Sequence, residues 1–213
     1  MMKKFGIIAA ALTVALTTVP VQAKVTADEA AKLGTELTPL GGEKAGNADG
    51  SIPAWTGGIT SAPAGYSAGD FHPDPYAGEK PEFVITATNY QQYADQLSEG
   101  LKKMFETYPD TFKLPVYKTH RSASNPQFVY DATKENATRA TLLDDGNGMA
   151  GAAVGIPFPI PANGLEAIWN HIARYRGPAV QRNGGQAAVT AGGDYNVIGF
   201  DEQLLIQYSQ ENA

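Results

Sequence analysis

The sequence predicts an α+β protein in which helices precede antiparallel strands. Apolar residues recur every four positions from Tyr93 to Phe105, and every three or four positions between 163 and 177, as on one face of a helix. The residues after 178 instead form short alternating runs separated by glycine-rich turns, which are typical of β-hairpins. The longer predicted helices therefore precede the predicted C-terminal hairpins.

Residues 1–23 have the three parts of a secretory signal peptide. Met1–Lys4 is basic, Phe5–Val19 is apolar, and Val21-Gln22-Ala23 supplies the small residues of a cleavage site. The apolar part is too short for a stable membrane anchor. We expect cleavage after Ala23 and export to a bacterial periplasm, with no transmembrane segment left in the mature chain.

Composition excludes several classes of site. The 213 residues include no cysteine, so disulfides, cysteine-bound metals, thiol chemistry and a lipid-modified N-terminal cysteine are all excluded. Removal of Lys3 and Lys4 with the signal peptide would leave 14 basic residues against 22 acidic ones, a net charge of −8. A dispersed negative charge argues against nucleic acid and anionic lipid surfaces as partners.

Two regions are expected after the signal peptide, residues 24–81 and residues 82–213. The first begins with a capping box, Thr26 to Glu29, and a short helix that ends at Gly34. Thr38–Pro81 is then rich in glycine and proline and lacks periodicity, yet it contains scattered aromatic residues. The aromatic residues favour a segment that wraps over a surface.

The second region is expected to alternate short strands with two helices. A strand is predicted over 83–85, a helix from Thr88 or Asn89 to Tyr108, and a strand over 114–121. Asn125-Pro126, as N-cap and first helical residue, predicts a helix to Ala137. A strand over 138–143 should end in the glycine-rich turn at residues 144–148.

The stretch Gly155–Gly177 combines a stiff strip with an amphipathic helix. Prolines 157, 159 and 161 favour an extended strip that carries Ile156, Phe158 and Ile160. Asn163 and Glu166 form an approximate capping box, and Gly177-Pro178 is expected to end the helix. The apolar stripe of this helix consists of Leu165, Ile168, Trp169, Ile172 and Tyr175. Its ordinary interpretation is a helix that covers a sheet.

Two hairpins are predicted near the C-terminus. The first joins 179–182 to 187–190 across Asn183-Gly184-Gly185, and the second pairs 196–200 with 204–208.

Two catalytic or nucleotide-binding motifs occur without the elements that they need. Gly65–Gly69 matches G-x-S-x-G, but prolines on both sides prevent the strand and helix of a nucleophile elbow. Gly146–Gly151 matches G-x-G-x-x-G, but Pro157 leaves no room for the helix that would hold a pyrophosphate. We interpret the first as a loop and the second as a glycine hairpin.

The metal-binding candidates are equally weak. Asp70, His72 and Asp74 are suitable ligands, but the prolines between them restrict how they can converge. His120 and His171 are isolated, and Asn47–Gly50 lacks the ligands of a calcium loop. We expect no metal, no cofactor and no catalytic residue. A metal-assisted hydrolase using His72 is the weakest of three functional hypotheses.

Three stretches together resemble one bacterial family, the domain-of-unknown-function 1329 proteins. They are Gly46–Gly58 (GNADGSIPAWTGG), Gly155–Pro159 (GIPFP) and Asn163–His171 (NGLEAIWNH), and Leu37–Gly41 fits as well. The resemblance runs from about Val25 to about Phe200. This family is exported by Gram-negative bacteria and is grouped with LolA/LolB-like lipoprotein carriers. The grouping implies a curved antiparallel sheet, an incomplete half-barrel with covering helices, around a cavity for acyl chains.

The resemblance favours a non-enzymatic carrier of lipid, lipoprotein acyl chains or another hydrophobic ligand in envelope transport. The ligand-binding residues would be Ile156, Phe158, Ile160, Leu165, Trp169 and Ile172. The alternative is an adaptor of an envelope transporter, an outer-membrane protein or an efflux assembly. The chain resembles only the N-terminal half of the family, so we also expect a sheet truncated at its C-terminus.

Overall fold

The computed structural model describes residues 25–67, 69–143 and 146–211. The predicted signal peptide lies outside these ranges. The described α-helices are α1 (Ala27–Ala30), α2 (Glu99–Thr107), α3 (Gln127–Arg139) and α4 (Gly164–Ile172). The described strands are β1 (Phe83–Thr86), β2 (Lys113–Val116), β3 (Thr141–Leu143), β4 (Gly148–Ala150), β5 (Ala179–Val189) and β6 (Tyr195–Leu205). The described 3-10 helices are Tyr90–Gln96 and Gln207–Ser209.

The α+β prediction is confirmed, with the strands arranged as small antiparallel pairs. β1 pairs with β2, β3 with β4, and β5 with β6. Among the described residues these are separate two-stranded sheets, and none is closed into a barrel. No described helix has both the length and the hydropathy needed to cross a bilayer.

The described residues include two buried apolar clusters. In the first, Ala30 and Leu33 pack against Ala137 of α3, with Ile160 at the margin. In the second, Phe105 of α2 is fully buried between the 3-10 helix and the β1–β2 sheet, where it packs with Ile85 and Leu97. Rings of Tyr90 and Phe112 lie 5.3 and 4.7 Å from the Phe105 ring.

Local capping signals locate the starts of α1 and α4 correctly, although α1 ends at Ala30 instead of Gly34. Thr26 and Glu29 form the predicted capping box of α1, with 2.9 Å from Thr26 N to the Glu29 carboxylate and 3.2 Å from Glu29 N to Thr26 Oγ1. Asn163 caps α4 through a 3.0 Å bond from Glu166 N. At α3 the N-cap is one residue later than predicted, at Pro126, and the Asn125 N–H donates to the Tyr130 hydroxyl at 2.7 Å.

The single helix predicted up to Tyr108 is wrong, because it is divided into a 3-10 helix and α2. Leu97 adopts an extended conformation at the break, and the Ser98 hydroxyl accepts a bond from Leu101 N as a new N-cap. Leu97 still reaches the core, which is why the apolar spacing continues across the break.

Two strand predictions are also too long. β2 ends at Val116 instead of residue 121, since only four of its residues have partners in β1. β3 begins at Thr141, because α3 continues to Arg139. The hairpin interpretation of residues 146–151 agrees with the pairing of β3 and β4, although residues 144 and 145 lie outside the described ranges.

The helix predicted to end at Gly177-Pro178 is shorter. α4 ends at Ile172, and the Arg174 guanidinium donates to the free carbonyl of His171 at 2.6 Å. Tyr175 leaves the helix and packs edge-on against Phe128 of α3, with 5.7 Å between ring centroids.

The two predicted C-terminal hairpins are wrong, because residues 179–205 form one long hairpin. Its eleven cross-strand pairs run from Ala179–Leu205 to Val189–Tyr195. Gly184 lies inside β5 opposite Phe200, whose ring occupies the space a side chain would take. The turn instead contains Gly193 at φ +88°, closed by a 2.8 Å bond from Thr190 N to Asp194 O. One long ladder satisfies more backbone groups than two short ones.

Candidate functional site

The proline strip is held on one side by two buried side chains of α3. Asn136 donates from Nδ2 to Ala153 O at 3.0 Å and to Ile156 O at 3.3 Å, and its Oδ1 accepts from Ala153 N at 3.2 Å. Thr133 Oγ1 accepts from Ile156 N at 3.0 Å. Because the prolines have no N–H to contribute to a sheet ladder, these side chains satisfy backbone groups that a neighbouring strand would otherwise pair.

The other side of the strip contacts α4 and the C-terminal 3-10 helix. Asn170 binds both backbone groups of Phe158, accepting from its N–H at 2.8 Å and donating to its carbonyl at 2.6 Å. The Tyr208 hydroxyl donates to Gly155 O at 2.7 Å, and the Tyr208 carbonyl accepts from Val154 N at 2.8 Å. The strip is therefore hydrogen-bonded to α3, to α4 and to the C-terminal 3-10 helix, and so connects all three.

The strip begins with a strained turn. Val154 has φ +62°, an unusual value for a β-branched residue, and Gly155 N donates to Ala153 O at 2.7 Å in a γ-turn. A Cβ at Gly155 would overlap Thr133 Oγ1 and lie 2.7 Å from Val129 O, so only glycine fits there. This strain is compensated by the hydrogen bonds that anchor both ends of the turn.

The six residues predicted to bind ligand are divided between the interior and the surface. Phe158 is only 7% exposed, and Ile156 and Ile160 are half-buried within the protein. Trp169 is partly buried and donates from Nε1 to Gly146 O at 2.9 Å. Leu165 and Ile172, together with Ile168, are exposed by about half, at 48%, 51% and 50%. These last three residues form the α4 stripe, an apolar surface on a firmly anchored helix.

A second apolar surface lies over the β1–β2 sheet, and sequence reasoning missed it as a site. We call it the sheet cleft. It has a volume of about 660 Å³, and its floor contains Ile85, Leu97, Leu114 and Val116. Its rim includes the exposed rings of Phe83 and Tyr117, and the Phe83 ring stacks on Tyr93 at 5.1 Å. In the sequence, the strand predicted at 83–85 and the aromatic residue Tyr93 indicate a buried core, and neither indicates a binding site.

The glycine- and proline-rich segment wraps over its own chain. The Arg121 guanidinium donates to the carbonyls of Glu43 at 2.6 Å, Lys44 at 3.2 Å, Ala45 at 3.3 Å and Pro53 at 3.4 Å. Trp55 donates from Nε1 to Ala123 O at 2.9 Å. A single arginine thus satisfies four carbonyl groups of a segment that has no ladder of its own.

The metal-ligand candidates do not converge. Asp70 accepts from Ser67 N at 3.1 Å and Asp74 accepts from Tyr76 N at 2.8 Å, so each carboxylate closes its own turn. His72 packs edge-on against Tyr66. His120 pairs with Glu79 at 2.9 Å and stacks on Tyr76 at 3.7 Å. Within the described ranges, no group of three or more histidine, aspartate or glutamate side chains could hold a metal ion.

The perturbed ionisable groups have structural causes. Burial raises the pKa of Tyr208 to about 12, with the positive charge of Arg139 acting in the opposite direction. Hydrogen bonds to the Thr26 backbone and hydroxyl lower the pKa of the Glu29 carboxyl. Bonds from the Ser51 hydroxyl and backbone lower the pKa of Asp49. Each shift belongs to a cap, a turn or the strip contact, and so accompanies local structure.

Comparison with known sequences decides the family. The sequence model described as protein of unknown function, DUF1329, matches residues 84–213. This chain is a member of the DUF1329 family. The family match covers α2 to α4, the sheet cleft strands apart from Phe83, the proline strip and the long hairpin.

A relative of this DUF1329 chain is the uncharacterized protein PA3922 of Pseudomonas aeruginosa. The two are 53% identical over 196 residues, which is 92% of this chain and 43% of the relative. The DUF1329 chain therefore spans less than half the length of that protein. No solved structure matches it.

Proposed function

We propose that this DUF1329 chain is a non-enzymatic carrier or binder of a hydrophobic ligand, such as a lipid or a lipoprotein acyl chain, in the periplasm. The sheet cleft carries the proposal. Its volume of about 660 Å³ falls in the range of small-molecule sites, its floor is apolar, and its rim combines the Phe83 and Tyr117 rings with polar residues such as Glu82 and Lys118. A signal peptide cleaved after Ala23 would deliver the chain to the envelope.

The cleft suits an acyl chain better than a polar substrate. Its apolar floor gains free energy when an apolar ligand displaces water, at about 25 cal/mol per Å² of buried area. The rings of Phe83 and Tyr117 can cover a flexible chain without side-chain hydrogen bonds to it. Lys118 and Glu82 at the margin would lie near a polar headgroup.

The resemblance to LolA/LolB-like carriers adds a finer element to this proposal. The long hairpin β5–β6 would be part of a curved, incomplete antiparallel barrel, with α4 as a covering helix. The α4 stripe supports this assignment, because three half-exposed aliphatic side chains on an anchored helix are suited to cover a sheet.

The test is binding of the neutral fluorophore N-phenyl-1-naphthylamine to the full chain, with native mass spectrometry of the periplasmic protein for co-purified lipid. The cleft variant carries Phe83→Ala and Tyr117→Ala, and the matched variant carries Ile168→Ala and Ile172→Ala on α4. We expect saturable binding that weakens about tenfold in the cleft variant, about 1.4 kcal/mol, and less than about twofold in the α4 variant.

Circular dichroism establishes that each variant is folded. A folded protein that binds neither fluorophore nor lipid contradicts the carrier proposal. Loss of binding in the α4 variant alone would instead assign the ligand to the residues predicted from the sequence.

An adaptor in an envelope transporter or efflux assembly is the second candidate. The exposed hairpin β5–β6 favours it, since an uncovered two-stranded sheet suits a polypeptide partner. A stoichiometric protein partner that co-purifies without lipid would support the adaptor over the carrier.

A further inference from the structure

The hairpin β5–β6 exposes apolar side chains on both of its faces. Successive residues of a strand point to opposite faces, so Val197 and Ile198 lie on different faces, yet they are 66% and 62% exposed. The other strongly exposed apolar residues of the hairpin are Val189, Tyr195 and Leu205. A two-stranded hairpin without a covered face is marginal in water, so this element is suited to gain stability from a partner.

The register shows which backbone groups are free. Ile206 N donates to Pro178 O at 3.0 Å, and Thr190 N donates to Asp194 O at 2.8 Å. Hydrogen-bonded pairs alternate with non-bonded pairs in an antiparallel ladder, so the even-numbered residues between these two bonds face the opposite strand. The odd-numbered residues direct their N–H and C=O groups outward. On β6 these are Tyr195, Val197, Gly199, Asp201, Gln203 and Leu205.

These free edges favour a polypeptide over a lipid as the partner. A bilayer would cover the apolar side chains but would leave the outward N–H and C=O groups unpaired, which is strongly unfavourable in the hydrocarbon region. An added strand pairs these groups and buries neighbouring side chains at the same time.

Charge distinguishes the two edges. Arg182 of β5 pairs with Glu202, so neither charge needs a further partner. Asp201 on β6 contacts only the neutral Asn183 amide, at 2.8 and 3.2 Å, and has no cationic side chain within ion-pair distance among the described residues. β6 therefore has one uncompensated negative charge, at Asp201, which a lysine or arginine of an incoming strand would neutralise.

We propose that the outer edge of β6 is a docking site for an extended strand from the additional region that longer DUF1329 proteins possess. More than half of the Pseudomonas aeruginosa relative lies outside the part matched by this chain, so such a region exists in the family. The strand would be mainly apolar and would place a basic residue beside Asp201. This inference rests on the sheet geometry of the proposed carrier fold but not on the sheet cleft or its ligand.

The test mixes the full chain with the unmatched region of the Pseudomonas aeruginosa relative, produced as a separate polypeptide whose folding is first established by circular dichroism. Binding is measured by calorimetry, and amide protection by hydrogen exchange with mass spectrometry. Val197→Pro removes an outward N–H from β6, whereas the matched control Ala187→Pro removes one from β5 at the paired position. Asp201→Asn removes the charge while keeping the shape.

We expect one-to-one binding that slows exchange in β6 at least tenfold. Val197→Pro should abolish binding, Ala187→Pro should retain it, and Asp201→Asn should weaken it several-fold and reduce its dependence on salt. Equal binding by the two proline variants, or absence of a complex with the wild-type chain, overturns the proposal. Self-association that Val197→Pro abolishes would make a second copy the occupant and would also overturn it.

Lipid binding in the sheet cleft is measured separately, with the Phe83→Ala and Tyr117→Ala variant. Failure of strand docking and failure of the carrier function are therefore distinguishable.

Discussion

The proline strip and the β5–β6 hairpin satisfy their backbones in opposite ways. The strip has no strand partner, yet Asn136, Thr133, Asn170 and Tyr208 bond to its backbone groups within the chain. The hairpin has eleven regular pairs, yet its outer edges and much of its apolar surface have no covering element in the described structure. The irregular strip therefore has hydrogen-bond partners for its backbone within the chain, whereas the regular hairpin leaves its outer edges unpaired in the described structure. Secondary structure alone therefore does not show which element has its backbone groups paired within the chain.

The largest expected difference between the two regions comes from adding one methyl group to a glycine. Gly155→Ala would force a Cβ into Thr133 and Val129, whereas a Cβ at Gly199 meets no atom within 4 Å. We expect Gly155→Ala to lower the free energy of unfolding by about 3 kcal/mol and Gly199→Ala to change it by less than about 0.5 kcal/mol. Urea denaturation followed by circular dichroism measures both, and equal effects would show that the strip is loosely packed.

Removing a buried amide is the next test. Asn136→Ala leaves the N–H and C=O of Ala153 and the carbonyl of Ile156 without these partners inside the protein. We expect a loss of about 2 to 3 kcal/mol in the free energy of unfolding. Asn183→Ala, in the exposed hairpin, is the matched control and should cost less than about 0.5 kcal/mol. A loss below about 1 kcal/mol for Asn136→Ala would mean that water replaces its bonds.

The sequence predicted local structure well where the signal was local. The caps at Thr26 and Asn163 involve residues three positions apart, so their side-chain chemistry is visible in the sequence. The contacts of Asn136 and Arg121 reach residues 17 to 78 positions away, and no spacing rule identifies them. The hairpin was mispredicted because Asn183-Gly184-Gly185 and Gly192-Gly193 are both good turn sequences. Only the full register, with Phe200 over Gly184, decides between them.

The candidate site shows the same difference between local signals and contacts of residues far apart in the sequence. The apolar stripe of α4 was recognised, but whether it is covered depends on parts of the fold that periodicity does not describe. The sheet cleft was not recognised, because Phe83, Tyr93 and Tyr117 come together from separate elements.

Alkaline pH should weaken the strip and leave the hairpin unchanged. The pKa of Tyr208 is raised from 10 to about 12, so the folded state holds this proton more tightly than the unfolded state. Its stabilising effect is complete below pH 10 and is lost as the pH rises towards 12. We expect the free energy of unfolding to fall more steeply over this range in the wild type than in Tyr208→Phe. Tyr108→Phe serves as control, and parallel curves for all three proteins would exclude the effect.

The smallest expected effect comes from removing a surface ion pair of the hairpin. Arg182→Ala removes the ion pair with Glu202 and the contact of the guanidinium with the Phe200 ring at 5.4 Å. Exposed pairs of this kind contribute about 0.2 to 1 kcal/mol. Exchange of β5 and β6 amides should accelerate by up to about fivefold, while exchange in α3 stays the same. Faster exchange in α3 as well would show that the hairpin and the interior unfold together.

The central claim is that the backbone of the strip has hydrogen-bond partners within the chain, whereas the outer edges of the hairpin do not. Its most direct test is hydrogen exchange across the full chain without any partner. We predict that α3 and the strip from Ala153 to Phe158 exchange slowly, and that the amides of β5 and β6 exchange at least ten times faster. Protection of β5 and β6 equal to that of α3 would contradict the claim, because it would show that the hairpin is stable within this chain without a further strand.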